Sequence, residues 1–404
     1  MFYKLKTVVN KLNFSKLIHS GISLLMCATT VTLFYGCGNP AATDSPLTEE
    51  LKPYFSAPSA LADSMGKFRS PLLFESGEKV AGKEDWPKRR TEILDKWHGL
   101  MGEWPEIIEN PAVEYLDTTQ RESITQYHVR MEVAPGWTRD AYLLIPDEKG
   151  PLPAALVVYY EPETGVGLGD ATLRDFAYQL AKRGFVTLSL GSDFDKNYYP
   201  DIKSATLQPL SMLAYMAANG YQVLANLPEV DKERVGVVGH SYGGKWAMFA
   251  SCLYDKFALG VWSDGGIVFD ETRSNVNYWE PWYLGYEQDT VRAEGIPTET
   301  NGRTGAYREM IKNKMDLVAL HALMAPRPFL VSGGSEDYVG RWNALNHAVE
   351  VNRFLGYENR VAMHNRPKHG PTEESNEIIY SFFEFFLKVG DAQRKENVAA
   401  PLRF

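Results

Sequence analysis

A serine flanked by glycines is the feature of this 404-residue sequence that most directly predicts chemistry. The run Gly-His-Ser-Tyr-Gly at 239–243 lies between an apolar stretch at 235–238 and a stretch at 245–250 that favours a helix. Glycines on both sides of a serine permit a sharp turn from strand to helix. Such a turn exposes the hydroxyl and directs the helix N-terminus at developing negative charge. The pattern therefore predicts Ser241 as a nucleophile.

A serine hydroxyl attacks well only when a base takes its proton, and that base is normally oriented by an acid. In a strand–turn–helix setting of this kind, the chain order is serine, acid, histidine. Among the histidines that follow Ser241, His369 falls in a predicted loop between the last strand and the last helix. The histidines at 321, 347 and 364 fall before a strand, inside a helix and inside a strand. We therefore expect His369 to be the base.

The acid has more than one candidate. Asp337 lies just beyond the strand predicted to begin at Phe329, which is the usual place for the carboxylate that orients the histidine. Asp264 ends the preceding predicted strand and could reach the same imidazole, and Glu336 is a third candidate. The sequence favours Asp337 and leaves Asp264 as the alternative acid.

The same turn predicts where an oxyanion would be stabilised. The backbone N–H of Tyr242 is the expected first donor, and a second is expected near Tyr160, after the strand predicted at 154–160. The glycines at 165–169 lack the spacing of a dinucleotide-binding loop, and no metal-ligand spacing occurs. We therefore expect neither a metal nor a cofactor.

Short apolar runs alternate with helical patterns from about residue 124 onward. An entry hairpin is predicted at 124–133 and 141–145, where apolar and polar residues mostly alternate. Alternation of strands and helices indicates an α/β fold with a mostly parallel central sheet flanked by helices. The later strands are predicted at 154–160, 185–190, 234–239, 257–263, 329–332 and 360–363, and the helices at 86–102, 173–183, 209–227, 342–355 and 374–388.

An insertion at 265–324 interrupts this alternation and is rich in aromatic residues. Such residues either form the core of a small lid or provide stacking surfaces for sugar rings. On the second interpretation, Trp279 and Trp282 are candidate substrate contacts. The catalytic domain is predicted at 86–390, including this lid.

The N-terminal segment predicts export. Lysines and no acidic residues precede an apolar stretch, and a small residue stands directly before Cys37. This is the pattern of a signal peptide at 1–36 followed by a lipid-modified cysteine, with a tether and N-terminal arm at 37–85. We expect a periplasmic or cell-surface lipoprotein anchored to the outer or cytoplasmic membrane. An uncleaved anchor and ordinary secretion are the alternatives.

Composition excludes several classes of protein. The formal charge of −9 argues against a nucleic-acid partner, and 44% hydrophobic residues argue against disorder. The three cysteines cannot form a disulfide scaffold.

Three segments, at 239–245, 320–328 and 366–370, resemble bacterial glucuronoyl esterases, and the range 86–388 is similar to acetyl xylan esterase-like proteins. The resemblance implies the α/β-hydrolase fold. In the glucuronoyl esterases the serine that matches Ser241 is followed by an arginine that stabilises the oxyanion, whereas this sequence has Tyr242 at that position. The family lysine that contacts the sugar is matched by Lys245. Asp264 matches the position of the acid in some members.

Together these features predict a serine esterase that removes O-acetyl or uronate ester groups from polysaccharides or oligosaccharides through an acyl-enzyme. The expected partner is therefore a carbohydrate ester. One alternative is a surface carbohydrate-binding protein with a silent triad on the same fold. A peptidase or a dienelactone-type hydrolase is another. The second type normally carries cysteine in the elbow, and peptidases often add a propeller domain, whose repeats this sequence lacks.

Overall fold

A nine-stranded sheet forms the centre of the computed structural model, which describes residues 49–169, 171–192 and 197–388. The strand order is β1-β2-β3-β5-β4-β6-β7-β8-β9. Strands β1 to β3 pair antiparallel, β3 pairs antiparallel with β5, and the remaining neighbours are parallel. The strands are β1 (Val113–Arg121), β2 (Ile124–Ala134), β3 (Trp137–Pro146), β4 (Leu152–Tyr159), β5 (Val186–Gly191), β6 (Val230–His240), β7 (Leu259–Ser263), β8 (Phe329–Gly333) and β9 (Val361–Asn365).

Helices cover both faces of this sheet, and strands such as β4 and β5 are therefore buried along their whole length. One hydrophobic core lies under α1, α4, α5, α7 and α8, and a second lies under α3 and α9. Alternate residues of β4 enter the two cores. The helices are α1 (Trp86–Met101), α2 (Pro162–Gly165), α3 (Phe176–Lys182), α4 (Pro209–Ala225), α5 (Tyr242–Leu253), α6 (Gly305–Lys312), α7 (Val318–Ala322), α8 (Trp342–Leu355) and α9 (Glu373–Leu387).

The predicted architecture is confirmed: a mostly parallel sheet, helices on both faces and an antiparallel entry hairpin. Strand β1 was not predicted. Its side chains are exposed or half-buried throughout, so no alternation of apolar residues announces it. No helix among the described residues is long and apolar enough to cross a membrane. The predicted signal peptide at 1–36 and the lipidation site Cys37 lie outside the described residues.

Candidate active site

The turn between β6 and α5 places Ser241 in a sterically forced conformation, with φ 60° and ψ −120°. A Cβ at Gly239 would lie 2.3 Å from the carbonyl oxygen of Gly243. A Cβ at Gly243 would lie 2.1 Å from the carbonyl oxygen of Val158, in the neighbouring strand β4. Both glycines are therefore required by close backbone contact, which real Cβ atoms cannot tolerate. The turn places Ser241 directly after the carboxyl end of β6, at the edge of the sheet.

His369 lies in the loop between β9 and α9 and reaches this serine. Its Nε2 is 2.9 Å from Ser241 Oγ, and its Nδ1 is 2.6 Å from an Oδ2 oxygen of Asp264. Both distances fit hydrogen bonds. With the imidazole proton on Nδ1, that N–H donates to the carboxylate, and Nε2 accepts a hydrogen bond from the Ser241 hydroxyl. Serine, histidine and aspartate thus form one continuous hydrogen-bonded chain.

The carboxylate that bonds to His369 belongs to Asp264, the alternative candidate, and not to Asp337. Asp264 follows β7 directly, with φ 48°. Its Oδ1 accepts the backbone N–H groups of Gly334 at 2.6 Å and of Asp337 at 2.8 Å. Those bonds hold one carboxylate oxygen, so the other faces His369. A carboxylate fixed in this way is well suited to orient an imidazole.

Asp337 has a different task. Its carboxylate accepts the backbone N–H groups of Gly266 at 2.8 Å and of Ile267 at 2.7 Å, in the loop that follows β7. Complete burial and the nearby negative charge of Asp264 raise the pKa of Asp337. The two aspartates end adjacent strands, and each holds the other's loop. The order of residues along the chain does not reveal which one faces the histidine.

Glu336, the third candidate acid, is also buried but bonds elsewhere. It accepts hydrogen bonds from Asn275 Nδ2 at 3.1 Å and from its neighbour Ser335 at 2.9 Å. Asp264, Glu336 and His369 each place one potential metal-ligand atom within 4.8 Å of the others. Since two of the three already form the chain with Ser241, the grouping is explained without a cation.

Arg366 fixes the loop that carries the histidine, and the sequence argument gave it no role. This buried guanidinium donates to the carbonyl oxygens of His369 at 2.7 Å and Gly370 at 2.8 Å. It also donates to the carbonyl of Ser332 at 2.7 Å, and to the Ser263 hydroxyl at 3.3 Å. One side chain therefore joins the histidine loop to the ends of β7 and β8. The sequence signal for this role is an arginine three residues before the histidine, in the short loop between β9 and α9.

His240 packs against His369. The centroids of the His240 and His369 rings are 4.7 Å apart, and His240 Nδ1 is 3.1 Å from Ser263 Oγ. Burial, followed by the neighbouring charges of His369 and Arg366, holds the pKa of His240 well below its ordinary value. His240 is therefore a neutral packing partner for His369.

The expected oxyanion region lies at the start of α5. Tyr242 is the first residue of that helix, and its ring stacks on that of Tyr160, with centroids 5.3 Å apart and an angle of 13° between the planes. The Tyr242 hydroxyl donates to the carbonyl of Trp282 at 2.7 Å. This side chain thus packs against Tyr160 and the insertion, and it carries no charge to the site. The two backbone donors stay a prediction.

Lys245 is buried in the first turns of α5. Its Nζ lies 5.0 Å from the ring centroids of both Tyr278 and Tyr283, a cation–π arrangement. Burial lowers the pKa of Lys245 to about 8, while the carboxylates of Asp337, Glu336 and Asp264 act in the opposite direction. A positive charge is thereby held close to the acidic loops.

The aromatic residues of the insertion divide between core and cleft. Trp279 is fully buried, packs near Tyr307 with ring centroids 6.1 Å apart, and donates to Glu280 at 3.2 Å. The expected substrate contact at Trp279 is therefore wrong, because a side chain with no exposed surface belongs to the core of the insertion. Trp282 is half-buried and adjoins Tyr242, so it stays a candidate substrate contact.

Comparison with family models matches residues 213–360 to the C-terminal domain of BAAT/acyl-CoA thioester hydrolases. Comparison with curated proteins gives no significant match.

Several solved structures are similar to this chain. A glucuronoyl esterase from Solibacter usitatus has a TM-score of 0.62 at 18% identity, covering 79% of this chain and 97% of its own. A protein assigned as an acetyl xylan esterase from Bacteroides fragilis has a TM-score of 0.52 at 15% identity, covering 77% and 86%. A serine-to-alanine mutant of a glucuronoyl esterase from Sporotrichum thermophile, in complex with methyl 4-O-methyl-β-D-glucopyranuronate, has a TM-score of 0.50 at 16% identity, covering 80% and 88%. Strand order and these likenesses together establish the α/β-hydrolase fold for this chain.

Proposed function

We propose that this protein is a serine carboxylic ester hydrolase that acts on ester groups of polysaccharides or oligosaccharides. The observation that carries the proposal is the chain of two hydrogen bonds from Ser241 through His369 to Asp264, at 2.9 and 2.6 Å. A turn that strains the backbone at Ser241 persists only because the surrounding contacts impose it, and such strain is typical of functional sites.

In the proposed reaction, His369 Nε2 takes the proton of Ser241 as its oxygen attacks the ester carbonyl. Asp264 stabilises the imidazolium that forms, and keeps Nδ1 protonated throughout. His369 then gives the proton to the leaving alcohol, and an acyl group stays on Ser241. Water, deprotonated by the same imidazole, hydrolyses this acyl-enzyme and regenerates the serine.

The developing oxyanion would rest on backbone groups. The N-terminus of α5, with the N–H of Tyr242, offers positive potential beside Ser241. The resembling glucuronoyl esterases use an arginine where this chain has Tyr242. Because the Tyr242 hydroxyl is bonded to the insertion, we infer that its side chain shapes the cleft and leaves charge stabilisation to the backbone.

The proposed substrate class is based on the similar solved structures and on Lys245. One similar structure holds a methyl glucuronate ester, and another is assigned as an acetyl xylan esterase. The buried Lys245 ammonium could donate to sugar hydroxyls or to a uronate group above Ser241. The half-buried Trp282 offers an adjoining apolar face. We therefore propose O-acetyl or uronate esters of a polysaccharide or oligosaccharide as substrates.

A panel of acetylated xylan, acetylated monosaccharides and methyl glucuronate esters tests this proposal, with acetate and methanol release measured separately. Acetate release alone indicates an acetyl esterase, and methanol release alone indicates a glucuronoyl esterase. Ser241→Ala should reduce kcat by about a millionfold, as expected for loss of a nucleophile. Retention of near-wild-type turnover in that variant on every ester would contradict the mechanism.

We also propose that the protein is exported and anchored to a membrane through a lipid on Cys37. The support is the sequence pattern alone. Labelling with a palmitate analogue in the native host should mark the wild type and leave Cys37→Ala unlabelled. A label that persists in Cys37→Ala would contradict lipidation at this residue. The described Cys252 is a buried, free thiol and provides no competing site.

A further inference from the structure

A cavity of about 520 Å³ lies between the N-terminal arm, helix α1 and the insertion that follows β7. Neither Ser241 nor His369 lines it. The volume falls within the range of small-molecule sites, which combine apolar walls with a few polar groups. Its walls include Phe68 and Phe269, both half-buried, and Asp316 near the start of α7.

Most charged side chains around this cavity neutralise one another. Glu75 accepts from Arg89 at 3.1 Å and from Lys96 at 2.6 Å. Asp270 and Glu271 likewise bond to Arg341 at 2.7 Å and Arg303 at 2.5 Å. Within the described part of the chain, Asp316 is the one lining carboxylate without an ion-pair partner.

Asp316 has one oxygen engaged and one available. Its Oδ1 accepts the backbone N–H groups of Leu317 at 2.7 Å and of Phe269 at 3.3 Å. No hydrogen bond to its Oδ2 occurs among residues 49–169, 171–192 and 197–388. Burial raises the pKa of Asp316 to about 7, and the backbone bonds and the charges of Arg341 and Lys67 act against that rise. The cavity therefore presents a fixed acceptor beside aromatic faces.

The ligand chemistry that fits this combination is a hydroxylated ring. Hydroxyl groups donate to a carboxylate, and the C–H face of a sugar lies against the phenyl rings of Phe68 and Phe269. Lys67 and Lys314 are exposed at the rim and add positive charge, which suits an acidic substituent. A purely apolar ligand would leave the Asp316 oxygen unpaired at a cost.

The cavity is also close to the catalytic centre along the chain. Phe269 follows Asp264 by five residues, so it lies within about 18 Å of the acid even if the backbone is fully extended. We propose that this cavity binds a saccharide unit of the same polymer chain whose ester is presented to Ser241. This proposal rests on the function proposed above and adds a remote subsite to it.

The test is isothermal titration of the full chain with two ester-free probes: xylotetraose, and xylotetraose carrying a 4-O-methylglucuronosyl branch. Asp316→Asn keeps the Oδ1 acceptor for the backbone and replaces Oδ2, which accepts no hydrogen bond within the described part of the chain, by an amide NH₂. Ala319→Met, at the half-buried position of the otherwise buried helix α7, fills part of the same cavity. The matched control is Asp117→Asn on β1, an exposed site at the opposite edge of the sheet.

At about pH 8.5, where the Asp316 carboxyl with a pKa of about 7 is ionised, we expect both cavity variants to bind the probes about tenfold more weakly than the wild type, since a hydrogen bond to the carboxylate is lost or blocked. Asp117→Asn should bind as the wild type does. Thermal melting shows whether each variant is folded. Equal affinity in all four proteins, or binding of neither probe, overturns the remote subsite. Ester hydrolysis by the wild type is measured separately, so failure of the proposed function is seen independently.

Discussion

The turn that carries Ser241 and the loops that carry Asp264 and Asp337 lie side by side, but different forces hold them. At the turn, backbone atoms of Gly239, Gly243 and strand β4 touch so closely that no side chain fits. At the loops, each aspartate accepts backbone N–H groups from the other's loop. The glycines that permit the close contact lie near one another in the chain, whereas the reciprocal hydrogen bonds depend on two distant segments.

The largest effect expected from this comparison distinguishes the two aspartates. Asp264→Asn should lower kcat by about ten-thousandfold, because the amide no longer holds His369 in its productive tautomer. Asp337→Asn removes an acceptor for Gly266 or Ile267, so it should mainly lower the free energy of unfolding, by about 1–3 kcal/mol. Steady-state kinetics and urea denaturation on both variants check this. An equal loss of kcat in a folded Asp337→Asn protein would show that Asp337 shares the role of the acid.

This difference also explains which part of the site the sequence could predict. The turn at Ser241 is predictable from the sequence because its glycines, and the strand and helix that flank it, are adjacent in the chain. The loop position of His369 is predictable because its neighbours fit neither a helix nor a strand. Asp264 and Asp337 both follow strands and both end at the same edge, so only the three-dimensional contacts reveal which faces His369.

Burial explains two other differences between prediction and structure. An insertion rich in aromatic residues has the same composition whether those residues form a buried core or a binding surface. Trp279 proved to be core, since neighbouring segments of the insertion close over it. Strand β1 was not predicted because neither of its faces is buried, so it has no alternation of apolar and polar residues.

The second expected effect concerns the steric turn. Gly243→Ala should lower the free energy of unfolding by about 3 kcal/mol, because its Cβ would overlap the Val158 carbonyl oxygen, a backbone atom that cannot move aside. Gly99→Ala is the matched control. Gly99 lies in helix α1 with open space around its Cβ position, so alanine there should stabilise the protein by about 0.5–1 kcal/mol. Urea denaturation measures both, and equal stabilities would refute the steric account.

The third effect tests whether Arg366 positions the histidine. Arg366→Met should reduce kcat about a hundredfold with little change in KM, since a displacement of the imidazole costs rate and not binding. Arg366→Lys should recover part of the activity by keeping the charge and one carbonyl contact.

Arg327 is the control for this variant. It donates to the carbonyls of Ser251 at 2.8 Å, Phe257 at 2.9 Å and Leu323 at 3.0 Å, none of them in the site. Arg327→Met should therefore lower stability and leave the kcat of the folded protein unchanged. A purely structural role for Arg366 would give the two methionine variants the same kinetic behaviour.

The smallest expected effect links the two regions through Lys245, which belongs to the turn and faces the acidic loops. Burial lowers the pKa of this ammonium to about 8, so it loses its charge as the pH rises through that value. If the charge contacts substrate, KM for a uronate ester should rise severalfold from one pH unit below this pKa to one above it. Lys245→Met should show a high KM without that rise.

Stability should increase with pH above the folded pKa of Lys245, whereas the affinity for substrate falls. Between the folded pKa of about 8 and the unfolded value of about 10.4, the unfolded chain binds the proton and the folded chain does not. The free energy of unfolding contributed by Lys245 is therefore lowest below the folded pKa and rises with pH until the unfolded value is reached. Denaturation of wild type and Lys245→Met across this range should show the wild type gaining relative stability as the pH increases. A constant difference would mean that Lys245 keeps its charge in the folded protein, and that the carboxylates of the neighbouring loops outweigh its burial.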